Sequence, residues 1–157
     1  MSPVTATQFK DVVGRVASGV VVVAGLAHDG PVGFTCQTFA SLSLHPTLVS
    51  FAAGNTGASW PRVRDVNVVG VSVLTDEQGE LARLFATSGV DKFAHASWTS
   101  APGGSPWLDG ALAHFEGRIV GLTTHGDHDV VVVAVDHAVA GSGRPLLYFR
   151  GEYGRLA

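Results

Sequence analysis

Val20-Val21-Val22-Val23-Ala24-Gly25-Leu26-Ala27-His28-Asp29-Gly30-Pro31-Val32-Gly33-Phe34-Thr35 is the stretch on which the fold turns. The β-branched run from Val20 to Leu26 has no polar face, which fits a strand buried on both sides. His28-Asp29-Gly30-Pro31 then reverses the chain into a second strand from Val32 to Thr35, the pattern of a hairpin. The pattern returns on a larger scale where Ala111 to Thr124 and His128 to Val139 are predicted to pair across Gly126-Asp127. Thr47 to Ala52, Asn67 to Leu74 and Leu146 to Arg150 read as further strands, and Val-Val-Val-Val recurs at Val130 without a fixed period, as another buried strand.

Helical signals are fewer. Phe9, Val12, Val13 and Val16 recur at spacings of three and four, which predicts an amphipathic helix from Thr5 to Ser18, capped by Thr5 or Thr7 and ended by Gly19. Gly57 to Asp65 is predicted as a short helix, and Glu77 to Phe85 as another, with Asp76 or Thr75 as its cap. Ala101 to Pro106 is a Gly/Pro loop. The balance is a mainly β chain with few helices, which points to a barrel.

Composition narrows the function. A chain of 157 residues fits one domain, 1–157, with a real core and no room for a second catalytic domain. A net charge of −3 with scattered Lys and Arg offers no basic stripe for nucleic acid. The single Cys36 excludes an internal disulfide and a multi-thiolate metal cage. Met1 to Thr5 lacks a secretory signal, and no apolar run reaches the roughly 20 residues that span a bilayer, so the cytoplasm is expected and a membrane is not. No G-x-G-x-x-G follows a strand, because Gly141-Ser142-Gly143-Arg144-Pro145 puts proline where a helix must continue, and no P-loop is present.

Several constellations remain open between a structural and a functional role. Thr35, Gln37, Thr38 and Ser41 suit either the polar edge of a flat ligand or the capping of backbone groups. Ser50 to Trp60 runs from strand end into helix, where Asn55 and Ser59 either cradle a phosphate or cap the helix. Lys92 is a solvated cation or an anion ligand, and His125 and His128 face apart across a turn without a third metal ligand. Cys36 lacks a partner for nucleophilic work and reads as a small spacer.

Gly33, Thr35, Thr38, Phe39, Ser41 and Ser43, followed by Pro46, Leu48 and Val49, resemble the G-x-T-x-x-S-F-x-S-x-S and P-x-L-V pattern of the flavin reductase family. Gly89 to Phe93 is similar to its G-x-[DE]-[KR]-F turn, Gly126-Asp127-His128 to its G-D-H, and Pro145 to Tyr153 to its closing P-L-x-[YF]-x-x-G-x-Y, so the likeness runs from about Phe9 to Leu156. Thr38 replaces a serine common in the family and Gln37 an asparagine. The resemblance implies a split β-barrel of Greek-key type that reduces FAD or FMN with NADH or NADPH and supplies reduced flavin to a flavin-dependent monooxygenase component, as a homodimer.

It also implies roles. Thr35, Cys36, Gln37, Thr38, Ser41 and Ser43 would border the flavin ring, joined by Tyr148. Ser50, Phe51, Ala52, Asn55, Ser59 and Trp60 would hold its side chain and phosphate, together with Phe85, Ala86, Lys92 and Phe93. His128 would position the nicotinamide, with Asp127 orienting it. The rival readings are a flavin carrier without turnover, a split-barrel oxidase of the pyridoxamine phosphate type, which needs a basic site beyond Lys92, and an interaction module without a cofactor.

Overall fold

The computed structural model describes residues 1–157. In chain order it contains α1 (Ala6–Val13), β1 (Ser18–Gly19), β2 (Val21–Ala27), β3 (Gly30–Cys36), β4 (Ala40–Leu44), β5 (Thr47–Gly54), α2 (Ser59–Val66), β6 (Val68–Val73) and α3 (Gly79–Phe85). A 3-10 turn (Phe93–His95) follows, then β7 (Trp98–Ser100), β8 (Pro106–Leu108), β9 (Ala113–His125), β10 (His128–Ala140), β11 (Leu146–Phe149) and β12 (Glu152–Arg155). Seven strands form one antiparallel sheet in the order β3-β2-β6-β9-β10-β5-β4, the split barrel. β1, β11 and β12 make a second sheet and β7 and β8 a small ribbon.

The valine run explains itself in this arrangement. Val21 and Val23 pack into the barrel core with Phe51, Trp60, Val63 and Val131, whereas Val20, Val22 and Ala24 pack on the other side with Leu74, Phe85, Phe93 and Leu108. Successive side chains of a strand point to opposite faces, so β2 sits between two hydrophobic clusters and has no position for a polar residue. The long β9–β10 hairpin pairs His128 with His125, as the Gly126-Asp127 turn predicts. Gly117 is required there: a Cβ would lie 2.0 Å from the Ala134 carbonyl oxygen.

Other expectations need correction. α1 ends at Val13, not Ser18, and Thr5 caps it in a reciprocal box: Thr5 Oγ1 accepts from the Gln8 N–H at 3.2 Å, and the Gln8 side chain accepts from the Thr5 N–H at 3.0 Å. α3 begins at Gly79 with Gln78 at its cap position, so neither Thr75 nor Asp76 caps it. Ala40–Leu44, outside the strands read from the sequence, is an edge strand with an irregularity between Ser41 and Ser43. The expected strand to Arg150 stops at Phe149, because Arg150 (φ 51°) and Gly151 (φ 78°) form a left-handed turn that returns the chain as β12. The Ala101 to Pro106 loop is flanked by β7 and β8 and held from behind by Glu116.

Candidate functional site

Where β3, the end of β5 and the start of α2 meet the end of α3, they enclose a cleft of about 310 Å³. β3 and the residue after it contribute Phe34, Thr35 and Gln37, and Gly54, Gly57 and Ala58 come from the β5–α2 connection. Ser59 and Trp60 open α2, while Phe85, Ala86, Ser88 and Lys92 close the far side. No side chain caps the first turn of α2, so its N–H groups and the Ser59 hydroxyl are available to an anion at the cleft.

Lys92 braces these walls. Its ammonium donates to the Phe85 carbonyl at 2.9 Å, the Gly33 carbonyl at 3.1 Å and Ser59 Oγ at 3.3 Å, which ties α3, β3 and α2 together. Burial pushes its pKa below the ordinary lysine value. The group is a cation without a carboxylate partner, half-withdrawn from water, and an anion in the cleft would compensate its desolvation.

At the rim, β10 lies against β5 with His128 opposite Gly54. His128 Nδ1 is 2.8 Å from Asp127 Oδ1, and a Cβ built on Gly54 would meet His128 Nε2 at 3.9 Å. The hydrogen bond from His128 holds the Asp127 carboxyl below the usual carboxylate range. With Nδ1–H donated to Asp127, Nε2 is the ring nitrogen turned toward the Gly54 side of the cleft. One residue on, Asp129 points inward: Oδ2 accepts from Trp60 Nε1 at 2.7 Å and Oδ1 from the Thr124 hydroxyl at 2.8 Å. These bonds lower the Asp129 pKa, led by the one from Trp60, and lock the first turn of α2 onto β10.

The mixture of an uncapped helix start, a hydroxyl, a half-buried cation and aromatic backing fits a flat ligand carrying a phosphate. Residues 13–157 match the flavin reductase like domain. The chain belongs to the flavin reductase like family. It is 38% identical over 147 residues to the flavin-dependent monooxygenase reductase subunit HsaB of Rhodococcus jostii, covering 93% of this chain and 75% of that one. The crystal structure of a nitrilotriacetate monooxygenase component B homologue from Mycobacterium thermoresistibile superposes with a TM-score of 0.92 at 34% identity, over 96% of this chain and 86% of the other. The NADH:FAD oxidoreductase SgcE6 of Streptomyces globisporus, in complex with NAD and FAD fragments, superposes with a TM-score of 0.92 at 31% identity, over 100% and 98%.

Against this family background the expected site residues divide. Thr35, Gln37, Ser59, Trp60, Phe85, Ala86 and Lys92 line the cleft, and Phe93 lines the cavity next to it. The Thr35 hydroxyl is nevertheless committed, donating to the Ala82 carbonyl at 2.6 Å. Thr38 is committed more fully: its hydroxyl donates to the Ala52 carbonyl at 2.9 Å and accepts from the Ala52 N–H at 2.8 Å, replacing a missing strand partner for β5. Cys36 is buried against Thr38, and burial pushes its thiol pKa up.

Phe51 is a core residue, and Ser50 and Ala52 belong to the opposite side of β5 from it. Ser41 and Ser43 sit on the edge strand β4, Asn55 is held at the β9–β10 turn through the Asp127 carbonyl, and Tyr148 packs on Tyr153 in the second sheet; none of these lines the cleft. Sequence reasoning missed Phe34, Gly54, Gly57, Ala58 and Ser88 as lining residues, and Asp129 as the positioning residue of α2. Asp129 had a signal: by strand parity it shares the inward face of Val131 and Val133, and a carboxylate there needs a buried donor.

Proposed function

We propose that this chain is an NAD(P)H:flavin oxidoreductase that supplies reduced flavin to a flavin-dependent monooxygenase component. The observation that carries this reading is the convergence of the uncapped α2 start, Ser59 and Lys92 on one cleft, with His128 poised across Gly54 at its rim. The names of the HsaB subunit and of the SgcE6 complex with NAD and FAD fragments support both ligands and the destination of the product.

In this reading α2's first N–H groups, the Ser59 hydroxyl and the Lys92 charge hold the flavin phosphate, while Thr35 and Gln37 border the ring. A bound flavin supplies the electron sink that accepts hydride from the reduced nicotinamide. The protein supplies alignment. His128, fixed in tautomer and direction by Asp127, presents Nε2 to the nicotinamide substrate and sets its approach, and Asp129 holds Trp60 so that the α2 start does not drift. No acid or base in the chain is required, because the transferred hydride takes its electron pair with it. Thr38, Cys36, Ser41, Ser43, Ser50, Phe51, Ala52 and Asn55 shape the strand edge and turn behind this site, and Tyr148 serves the second sheet.

We further assign one domain over 1–157 and a homodimer, since Phe9 (61% exposed), Val12 (64%), Val120 (56%) and Val130 (37%) leave apolar surface that a second copy would cover. No helix is long and apolar enough to cross a membrane. A cytoplasmic location suits the lone reduced thiol of Cys36 and a substrate drawn from the nicotinamide pool. The test is absorbance at 340 nm as NADH or NADPH is mixed under oxygen with protein and catalytic FAD or FMN. Continuous consumption is expected; flavin binding without consumption overturns the reading in favour of a carrier.

A further inference from the structure

The cleft does not end at Lys92. A second cavity of about 290 Å³ adjoins it and shares Ser59 and Lys92 with it. Pro31, Val32, Val90 and Phe93 give this cavity its apolar lining, and Asp29 and Arg62, paired at 2.6 Å, give it charge. Each cavity alone is at the lower end of the roughly 300–1,000 Å³ of ligand pockets; joined, they fall within it. We propose that the second cavity receives the adenosine half of FAD, with Arg62 on the diphosphate and Asp29 on the ribose hydroxyls, so that the chain selects FAD over FMN.

The proposal rests on the flavin reading of the first cavity. If the flavin phosphate sits at the Lys92–Ser59 junction, the next phosphate of a dinucleotide leaves on the far side, where Arg62 stands. A guanidinium carries five N–H donors, and one contact to Asp29 leaves others for phosphate oxygens. Asp29 stays ionised because the Arg62 hydrogen bond holds its carboxyl below the usual range, so it can accept from hydroxyls. Both partners are about half exposed, and an exposed pair contributes little to folding, so the fold itself does not account for its place beside this cavity. FMN, which ends at its first phosphate, leaves all of these groups unused.

The experiment titrates wild-type protein and two variants, Arg62→Ala and Val90→Trp, with FAD and separately with FMN, following flavin fluorescence without nicotinamide nucleotide. Wild type is expected to bind FAD about tenfold or more tightly than FMN. Each variant is expected to lose about tenfold in FAD affinity while FMN binding changes by less than about twofold. Equal wild-type affinities, parallel losses for both flavins, or an unchanged FAD affinity in Arg62→Ala would each overturn the assignment. Failure of both flavins to bind would instead remove the flavin reading of the first cavity, and the assignment with it.

Discussion

Lys92 commits its ammonium protons to Gly33, Ser59 and Phe85, and this double duty as brace and cation sets what its loss should do. Lys92→Met is expected to leave two carbonyls without their donor at a cost of about 1–3 kcal/mol, read as a lower midpoint of chemical denaturation. The same variant should weaken FMN binding roughly ten- to a hundredfold, the equivalent of a charge-assisted contact. Burial has lowered the Lys92 pKa, so the cation is lost at a lower pH than for an exposed lysine. Flavin affinity should therefore fall as pH rises toward the ordinary lysine value of 10.5, and the fall should be absent in Lys92→Met. Stability runs the other way: the folded state binds fewer protons than the unfolded one between the two pKa values, so the desolvation cost is relieved as pH rises through that window. His128→Ala is expected to cut kcat/KM for NADH by about 10- to 100-fold with flavin affinity preserved, measured by steady-state kinetics beside a flavin titration. The positions of Lys92 at the cleft and of His128 opposite Gly54 were legible from two turn motifs. The engagement of Thr38 with both polar groups of Ala52 was not, because it depends on where β5 runs past the end of β3, a contact of sequence separation 14.

Elements were legible in proportion to their length. The β9–β10 hairpin and β2 follow from runs of β-branched residues, whereas β7, β8 and β12 span only three or four residues each and exist because something else holds them. For β7 and β8 that holder is Glu116. It is buried in β9 and accepts from the Gly103 N–H at 2.5 Å and the Ser105 N–H at 2.9 Å, and also from the Ser105 hydroxyl. Gly103 permits the approach, since a Cβ there would meet Glu116 Oε1 at 2.7 Å. A glutamate in the middle of a strand reads in sequence as solvent-facing, and only the loop folding back over it shows otherwise. Glu116→Ala is expected to free the Ala101 to Pro106 turn, seen as faster hydrogen exchange of its amides, while exchange in β2 stays slow. Gly117→Ala is expected to be worse for the whole fold, because its neighbour at 2.0 Å is backbone oxygen and cannot rotate away. It should cost at least the roughly 1–3 kcal/mol of an overpacked site and lower the thermal midpoint accordingly.

At the scale of the molecule, the unpartnered surface is the feature that one chain does not explain. α1 carries the amphipathic spacing that its sequence predicts, yet none of its residues is buried, and Phe9, Val12, Val13 and Val16 remain 47–71% exposed. A helix of eight residues is too short to be stable in water on its own propensity, so a face of this kind needs a partner surface. Leu44 at 78%, Val120 at 56% and Leu122 at 39% exposure leave further apolar area on the β4 edge and the β9–β10 ribbon. These are strands of the same continuous sheet that, through β5 and β10, brings Gly54 and His128 together at the cleft rim. Association through this sheet would therefore also stiffen the cleft, which links oligomeric state to flavin affinity by mass action. Phe9→Glu together with Val12→Lys is expected to convert the proposed dimer to a monomer in sedimentation velocity without loss of the far-ultraviolet β signal. A wild-type monomer would overturn the dimer, and a double variant that remains dimeric would place its contact elsewhere. If the Val120 and Leu122 region is the contact instead, Val120→Lys should split the dimer and lower flavin affinity together, because that ribbon, unlike α1, pairs through β10 with β5 and so holds the Gly54 wall of the cleft.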